Sequence, residues 1–383
     1  MVPDPSNSNG HGAHAASGPK RQDRAKRPVR VLIVDDSAVV RQILARELAR
    51  DPEIDVIGTA GDPFIARDKI LREKPDVLTL DIEMPRMDGI TFLKKLMVYH
   101  PLPIIILSSL AQHGTNIALE ALEWGAVAVF AKPKCDIRHS LTESMLELAE
   151  VIKGAAGAKL SAIRPPPAQH VSISQTKIEK PAKSSLIRTT DKVIVIGAST
   201  GGTEALKTVL STLTGDSPGV LAVIHMPECF TRRFAERLNE LCSIEVREAA
   251  DGDCLHDGLA LIARGDHHLL LSRSGTRYVA ELCKGPPICR HRPSVEVLFQ
   301  SAAQNAGPNA LGIIMTGMGA DGADGLLAMR QRGSHTIAQD EATCIVYGMP
   351  KEAVLRGAAA EVLPLDRIAG ACMSWSKGSF TNG

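Results

Sequence analysis

Residues 29–37 read VRVLIVDDS and residues 193–202 read VIVIGASTGG, and these two stretches decide the fold. Each begins with a nearly unbroken apolar run and passes directly into polar or glycine residues. A segment with helical periodicity follows each one, AVVRQILARELAR at 38–50 and TEALKTVLSTL at 203–213. Unbroken apolar runs are typical of strands covered on both faces, and their alternation with helices predicts parallel sheets in an α/β fold.

Two blocks of the chain share this rhythm, and stretches poor in apolar residues separate and flank them. A length of 383 residues suggests two or three domains. The N-terminal stretch is rich in Gly, Ser and Pro, and the middle one carries three consecutive prolines, so neither can form a core. We therefore predict a disordered basic tail (1–28), a first domain (29–153), a linker (154–190), a second domain (191–375) and a short C-terminal tail (376–383).

Further apolar runs in each block indicate the type of sheet. The first block also contains DVLTL, PIIIL and AVAVF, which predict a parallel sheet of about five strands. The second contains GVLAVIH, LALIA, YVAEL and ALGIIMTG, some of them interleaved with helical segments. For this block we predict a doubly wound α/β domain with a mainly parallel sheet and an antiparallel excursion near residues 259–283.

The composition argues against several classes of protein. The chain has 44 Lys and Arg against 43 Asp and Glu, so it lacks the basic excess typical of DNA-binding proteins. No apolar run approaches the roughly 18 residues that cross a bilayer, and the polar N-terminus lacks the apolar core of a secretory signal. The eight cysteines form no CxxC pair, which argues against a zinc site or a disulfide framework. We expect a cytoplasmic protein that neither binds nucleic acid nor inserts into a membrane.

Polar residues follow the strands of the first domain where those strands end. They are Asp35 and Asp36 after VLIV, Asp81 after VLTL, Ser108 after IIIL and Lys132 after AVAVFA. A single aspartate at such a position is more often a helix cap, but here all five residues are of chemically complementary types. The carboxyl ends of parallel strands share one edge of the sheet, where ligands bind. Converging carboxylates suit Mg²⁺, and lysine and hydroxyl groups suit phosphoryl oxygens, so we predict a site for both ligands.

The second domain carries a candidate nucleophile in its first strand-to-helix turn. The sequence GASTGG fits the pattern G-x-S-x-G at Gly197, Ser199 and Gly201. Small flanking residues permit a sharp turn that exposes the serine beside a helix N-terminus, which stabilises negative charge. The same pattern fits a phosphate- or nucleotide-binding turn or a plain tight connection, so the motif alone leaves these alternatives open.

A serine nucleophile needs a base and a carboxylate that orients the base. The run GVLAVIH ends in His225, and ALGIIMTG leads to Asp321 and Asp324. Asp321 lies nearer the strand end and is preferred, although a helix cap or turn explains it equally well in isolation. The chain order Ser, His, Asp differs from that of α/β-hydrolases and favours a separate scaffold.

VDDS, LDIEMPRMDG, SS and AKP resemble the receiver domain of bacterial response regulators, over nearly all of residues 29–150. The resemblance implies a flavodoxin-like fold with Asp81 as the phosphoacceptor. It implies that Ser108 is the switch hydroxyl and that Lys132 pairs with the phosphoryl group. A histidine kinase would be the phosphodonor.

The same resemblance implies a Mg²⁺ ion that serves phosphorylation. Asp36 and Asp81 would bind it directly, Asp35 through water, and Glu83 through its backbone carbonyl. One departure is Val129, which stands where many receivers have an aromatic residue that takes part in switching.

GASTGG, HMP and MTGMGADG resemble, as a set, the catalytic domain of the CheB family of chemotaxis protein-glutamate methylesterases. FTRRFAERLN, GPPICRHRPSVEVLFQSAA and YGMPKEA extend the resemblance over about residues 190–365. It implies Ser199 as nucleophile, His225 as general base and acid, and Asp321 as the carboxylate that orients the imidazole.

The resemblance further implies an esterase that phosphorylation activates. It would demethylate glutamate γ-methyl esters on the cytoplasmic helical bundle of chemoreceptors, release methanol and deamidate specific glutamines, with no cofactor for the esterase. The backbone N–H of Met318 would contribute to an oxyanion hole, and Thr200 would assist near the nucleophile. The unphosphorylated receiver would cover Ser199 until phosphorylation of Asp81 loosens it. We expect a monomer.

Other functions fit parts of the sequence. A response regulator that binds DNA is disfavoured by the net charge of +1 and by the lack of a helix-turn-helix pattern after the linker. A docking module with a degenerate triad is disfavoured because all three candidate residues are present. A hydrolase for another methylated target fits as well as the chemotaxis enzyme. The loop Arg290-His291-Arg292 is predicted to be solvated or ion-paired, with contact to an acidic receptor surface as the alternative.

Overall fold

A computed structural model describes residues 27–84, 89–108, 112–132, 138–160 and 191–378. Most of the predicted N-terminal tail, most of the predicted linker and the end of the predicted C-terminal tail lie outside the described residues. Within these ranges no helix combines the length and apolar character needed to cross a membrane.

The N-terminal domain alternates strands with helices. Its strands are β1 (Val29–Val34), β2 (Ile54–Ala60), β3 (Val77–Asp81), β4 (Ile104–Ser108) and β5 (Ala128–Ala131). Its helices are α1 (Ala38–Leu48), α2 (Pro63–Glu73), α3 (Gly89–Tyr99), α4 (Gln112–Glu123) and α5 (Arg138–Ala156). The strands form one parallel sheet in the order β2-β1-β3-β4-β5, which confirms the predicted fold of this domain.

The first helices of this domain begin at caps that the sequence supplies. The hydroxyl of Ser37 accepts a hydrogen bond from the first turn of α1. Asp62 does the same for α2, and Pro63 follows it in the first helical turn. Because α1 begins directly after β1, Asp35 and Asp36 are left at the carboxyl edge of the sheet.

The C-terminal domain has the second α/β core. Its strands are β6 (Val193–Ala198), β7 (Gly219–Ile224), β8 (Glu245–Glu248), β9 (Leu259–Ile262), β10 (His268–Ser274), β11 (Arg277–Cys283), β12 (Ala310–Ile314), β13 (His335–Gln339) and β14 (Glu361–Leu363). Its helices are α6 (Gly202–Leu210), α7 (Glu228–Leu241), α8 (Val295–Asn305), α9 (Ala323–Gln331), α10 (Met349–Leu355) and α11 (Leu365–Ser376). Seven of the strands form a parallel sheet in the order β14-β13-β12-β6-β7-β9-β8.

The predicted antiparallel excursion at residues 259–283 is wrong for its first strand. β9 pairs in parallel with both β7 and β8, and its four residues are buried. Such a strand belongs inside the sheet, where neighbours pair on both sides and helices cover both faces. The antiparallel part is the separate hairpin β10–β11, which begins only at His268.

The strand order of the second sheet places three loops side by side. β6 lies between β7 and β12, although β12 comes much later in the chain. The chain continues from β6 to β7 on one side and from β12 to β13 on the other, so the connections after these adjacent strands diverge. Such a divergence opens a ligand site at the carboxyl ends of the strands. The residues that follow β6, β7 and β12 meet at this edge.

The N-terminal domain packs over the same edge. Phe230 of α7 is fully buried and belongs to the apolar cluster of the N-terminal domain. Ion pairs also join the domains, among them Arg237 with Glu123 at 3.1 Å and Lys159 with Glu341 at 3.3 Å. The carboxyl edge of the second sheet is thus covered rather than open to solvent.

Candidate functional site

Ser199 stands directly after β6, in the turn that leads into α6. Its backbone N–H donates to the carbonyl of Thr316 at 3.0 Å, and its own carbonyl accepts from Gly202 at 2.6 Å. Gly201 has a φ of +78°, a left-handed conformation that side chains rarely adopt. The turn therefore needs glycine at this position, as the G-x-S-x-G pattern predicts.

His225 follows β7 and lies between the serine and a carboxylate. Its Nδ1 is 3.1 Å from the Oγ of Ser199, and its Nε2 is 2.8 Å from the Oδ2 of Asp321. A neutral imidazole donates from one nitrogen and accepts at the other. The carboxylate holds the proton on Nε2 and leaves Nδ1 to accept the serine O–H. The three side chains form a continuous chain of hydrogen bonds that can move a proton away from Ser199.

Asp321 is buried and holds α8 as well as the imidazole. It accepts hydrogen bonds from the hydroxyl of Ser294 at 2.7 Å and from the backbone N–H groups of Val295 at 2.7 Å and Glu296 at 3.0 Å. The carboxylate therefore also caps α8. Burial alone would raise the pKa of Asp321, but the hydrogen bonds from the imidazole, the hydroxyl and the amides outweigh it and lower the pKa to about 2. The carboxylate is ionised at neutral pH.

The other aspartate that the motif offered lies away from the imidazole. Asp324 is exposed in the first turn of α9, where its carboxylate is 3.2 Å from the guanidinium of Arg356. Asp324 therefore forms a surface ion pair at a helix N-terminus. Asp321 is the aspartate that lies next to His225.

The loop after β12 brings Gly317 and Met318 next to the serine. A Cβ on Gly317 would lie 2.8 Å from the Cβ of Ser199, so the loop needs glycine to approach this closely. The backbone N–H of Met318 donates to no other group among the described residues, which leaves it available to a bound oxygen. Thr200 is buried, and its carbonyl accepts from the hydroxyl of Thr316 at 2.9 Å. Thr200 therefore ties the nucleophile turn to this loop.

His291 is a site residue that the motifs did not reveal. Its imidazole stacks on that of His225, with ring centroids 3.7 Å apart and planes 17° apart. Burial lowers the pKa of His291 to about 3, and the charges of His225 and Arg290 act in the same direction. The ring is therefore neutral at physiological pH. The one sequence signal was the segment CRHRPS, whose basic residues predict a solvated loop and say nothing about which ring turns inward.

In the N-terminal domain the predicted carboxylate cluster is present. Carboxylate oxygens of Asp35, Asp36 and Asp81 lie within 4.8 Å of one another. The Nζ of Lys132 is 3.0 Å from Asp35 and 2.7 Å from Asp81. One lysine neutralises only one of three negative charges, so the donor set fits a small divalent cation that prefers carboxylate oxygens.

Burial and charge together tune the aspartate at the end of β3. Burial raises the pKa of Asp81, and the nearby Asp35 adds to this, whereas Lys132 and the backbone N–H of Glu83 oppose it. The Glu83 amide donates to Asp81 at 2.9 Å. Ser108 is buried at the end of β4, where its carbonyl accepts from the backbone N–H of Lys132 at 2.9 Å. All the residues predicted for this site therefore lie at one edge of the first sheet.

The two domains enclose the serine and the imidazole between them. A cavity of about 70 Å³ is lined by Ser199 and His225 on one side and by Val129 and Glu147 of the N-terminal domain on the other. The cavity has room for only a few waters. In this arrangement of the two domains, nothing larger than those waters fits at Ser199.

Two family models match the chain: CheB methylesterase over residues 194–372 and the response regulator receiver domain over residues 31–142. Protein-glutamate methylesterase/protein-glutamine glutaminase 3 of Geobacter metallireducens is 54% identical and covers 89% of this chain and 97% of its own. Protein-glutamate methylesterase/protein-glutamine glutaminase 5 of Anaeromyxobacter dehalogenans is 56% identical, over 89% of this chain and 95% of the length of that protein. The crystal structure of the Thermotoga maritima CheB methylesterase catalytic domain is 36% identical and covers 48% of this chain and 98% of its own, with a TM-score of 0.47.

Proposed function

The chain belongs to the CheB methylesterase family and carries a response regulator receiver domain, and on this premise we propose which residues perform its reaction and control it. It is a protein-glutamate methylesterase and protein-glutamine glutaminase, a hydrolase that acts in chemotactic adaptation under the control of phosphorylation. The substrates are glutamate γ-methyl esters and glutamine amides on the cytoplasmic domains of chemoreceptors.

Ser199, His225 and Asp321 carry out the acyl transfer. His225 Nδ1 takes the proton of Ser199 as the Oγ attacks the ester carbonyl, and the same proton then leaves with the methoxide as methanol. Water hydrolyses the glutamyl ester on Ser199, with His225 again moving the proton. Asp321 keeps the proton of Nε2 in place and stabilises the imidazolium. The observation that carries this proposal is the hydrogen-bond chain of 3.1 Å and 2.8 Å through His225.

The oxyanion of the tetrahedral intermediate is stabilised by backbone N–H groups. The amide of Met318 is the candidate donor, because it lies beside Ser199 and has no partner among the described residues. One such donor contributes about 10²- to 10³-fold to the rate. Thr200 positions the nucleophile turn through its contact with Thr316.

The receiver, for which we propose the bounds 29–153, takes a phosphoryl group on Asp81 from a histidine kinase. A Mg²⁺ ion held by Asp35, Asp36, Asp81 and the carbonyl of Glu83 would neutralise charge during the transfer. Lys132 binds the phosphoryl oxygens, and its present contact with Asp81 at 2.7 Å places it for that role. Ser108 supplies the hydroxyl that responds to the new charge.

Phosphorylation opens the covered edge of the catalytic domain. The receiver now leaves a cavity of about 70 Å³ at Ser199, too small for a receptor helix. A phosphoryl group on Asp81 adds negative charge at the edge of the first sheet where Ser108 and Lys132 also lie. This charge weakens the packing of the neighbouring α4, β5 and α5 on the catalytic domain. The protein works as a monomer in the cytoplasm.

Methanol release from methyl-labelled chemoreceptor membranes tests this function. The comparison uses wild type, Ser199→Ala and Asp81→Asn, each with and without a small phosphodonor and Mg²⁺. Release should vanish in Ser199→Ala and should respond to the phosphodonor only when Asp81 is intact. No release from wild type whose Asp81 is phosphorylated would refute the proposal.

A further inference from the structure

A cleft of about 610 Å³ lies beside the triad, between the receiver and the catalytic domain. Glu147 of α5 lines it from the receiver. His225 and the loop of Arg290, His291 and Arg292 line it from the catalytic domain. An acidic helix therefore faces a basic loop across the entrance to the catalytic serine.

Two glutamates of α5 are on the side that faces this loop. Glu150 lies 3.8 Å from the guanidinium of Arg290. Glu147 precedes it by three residues, which places it on the same side of the helix, one turn earlier. Glu147 lines both the cleft and the smaller cavity that reaches Ser199. Glu147 is an exposed residue, but the protein around its carboxyl removes part of the hydration of the charged form and so raises its pKa, against the charge of His225.

The basic loop has a fixed backbone. Arg292 donates to the carboxylate of Asp266 from Nε at 2.9 Å and to the carbonyl of Gly285 at 2.7 Å. Cys289 and Arg290 are both in the left-handed region, with φ of +51° and +68°, which non-glycine residues adopt only where their surroundings hold them. The backbone therefore holds Arg290 at the edge of the cleft, and its side chain is 76% exposed.

We propose that this cleft is the docking groove for an acidic substrate helix and that α5, which lines one side of it in the resting chain, mimics the reaction product there. A glutamate on an α-helix is what demethylation produces, and Glu147 presents one beside His225. The spacing of the two glutamates on α5 indicates how the substrate helix lies in the groove. The modified glutamate of the substrate takes the place of Glu147, and a second carboxylate of the substrate, three residues later, faces Arg290. The inference rests on the proposed function, because it describes the substrate of the same triad.

α5 and the substrate helix then compete for binding to the same groove. The receiver then does more than obstruct the site, because it supplies the charges that the catalytic domain is built to recognise. Release of α5 frees Arg290 and the space around His225 together. Recognition of the substrate and relief of inhibition depend on the same contacts.

Two helical peptides test the assignment with the full chain, a small phosphodonor and Mg²⁺. Both carry one glutamate γ-methyl ester, followed three residues later by glutamate in one peptide and by lysine in the other. Wild type should show a kcat/KM about three- to tenfold higher for the glutamate peptide, since a partly exposed charge pair contributes modestly. Arg290→Glu should reverse this preference. Arg277→Glu, an exposed residue of β11 that does not line the cleft, should keep the wild-type ratio.

The ratio compares two substrates of one enzyme, so a loss of folded protein in a variant does not change it. The same ratio in wild type and Arg290→Glu would overturn the docking proposal. It would equally be overturned if wild type hydrolysed neither peptide while it demethylated receptor membranes. Failure on the peptides and the receptors alike would overturn the proposed function, and the docking proposal with it.

Discussion

The imidazole of His291 lies flat on the imidazole of His225, with ring centroids 3.7 Å apart. His225 gains a proton during the reaction, and a neutral ring stacked on it keeps it in one orientation without competing for that proton. Stacked aromatic pairs contribute roughly 0.5–1.5 kcal/mol, which is a factor of about 2 to 10 in a rate.

We expect His291→Ala to lower kcat about 2- to 10-fold and His291→Phe to retain most of the activity, because phenylalanine can still stack. Hydrolysis of an activated ester between pH 6 and 9 measures both effects. Burial keeps the pKa of His291 at about 3, so neither variant should add or remove an ionisation in this range. An altered pH profile would show that His291 titrates with the active site.

Gly317→Ala should nearly abolish esterase activity without unfolding the protein. A Cβ at this position would lie 2.8 Å from the Cβ of Ser199, so the loop must move away from the nucleophile and carry the Met318 amide with it. Loss of one oxyanion donor predicts a decrease in kcat of about 10²- to 10³-fold. Gly370→Ala in α11 is the matched control, because its Cβ would contact nothing within 4 Å. Equal activity of the two variants would contradict the assigned geometry.

Asp321→Asn should destabilise the fold in a pH-dependent manner. Asp321 has a pKa of about 2 in the folded chain, against about 3.9 in an unfolded one. The ionised carboxylate therefore contributes roughly 2–3 kcal/mol at neutral pH, fully present above about pH 4 and lost as the pH falls through about 2. The Tm difference between wild type and Asp321→Asn should be largest near pH 6 and shrink below pH 4. A difference that stays constant down to pH 3 would refute this.

The site residues at the strand ends could be predicted from the sequence, because the apolar run that marks each buried strand and the polar residue that follows it are adjacent in the chain. Asp81, Ser199 and His225 each follow an apolar run directly, and the parallel fold that those runs predict brings their carboxyl ends to common edges. Asp321 could be preferred over Asp324 only on its distance from the strand end, because the hydrogen bond that distinguishes the two joins Asp321 to His225, which lies 96 residues away in the chain.

Other features had no local signal. His291 reaches His225 only because Cys289 and Arg290 adopt left-handed conformations that the residue types do not favour. The contact of Glu147 with the cleft depends on how two domains pack, and hydrophobic periodicity within one helix carries no information about that. The antiparallel excursion was placed too early because a short apolar run such as LALIA fits a hairpin strand and a central strand equally well.

Lys132→Met should destabilise the receiver and make its stability depend more strongly on Mg²⁺ than that of wild type. The substitution leaves Asp35 and Asp81 buried without a cation, which costs about 3–5 kcal/mol. Removing the lysine also raises the pKa of Asp81 further, so the destabilisation should be greatest at high pH and decline as the pH falls and the carboxyl is protonated. Urea unfolding at pH 8 and pH 5, with and without Mg²⁺, measures this. Lys95→Met, an exposed lysine of α3, should show neither effect.

Gly154→Ala should activate the unphosphorylated chain. A Cβ on Gly154 of α5 would lie 2.4 Å from the Sδ and 3.1 Å from the Cβ of Met318, so α5 can no longer pack on the oxyanion loop as it does in the resting chain. We expect esterase activity without phosphodonor to rise toward the phosphorylated rate. Gly157→Ala is the control, since its Cβ would make only an ordinary contact at 3.6 Å. No difference between the two variants would argue against the receiver as a cover of the active site.

In the proposed reaction Ser199 forms a covalent acyl intermediate with the help of His225. The most direct measurement is mass spectrometry of the phosphorylated chain quenched during turnover of an activated ester. We expect one acyl group on the peptide that contains Ser199, and none in Ser199→Ala. An acyl group on any other residue of wild type, or turnover of Ser199→Ala at the wild-type rate, would contradict it.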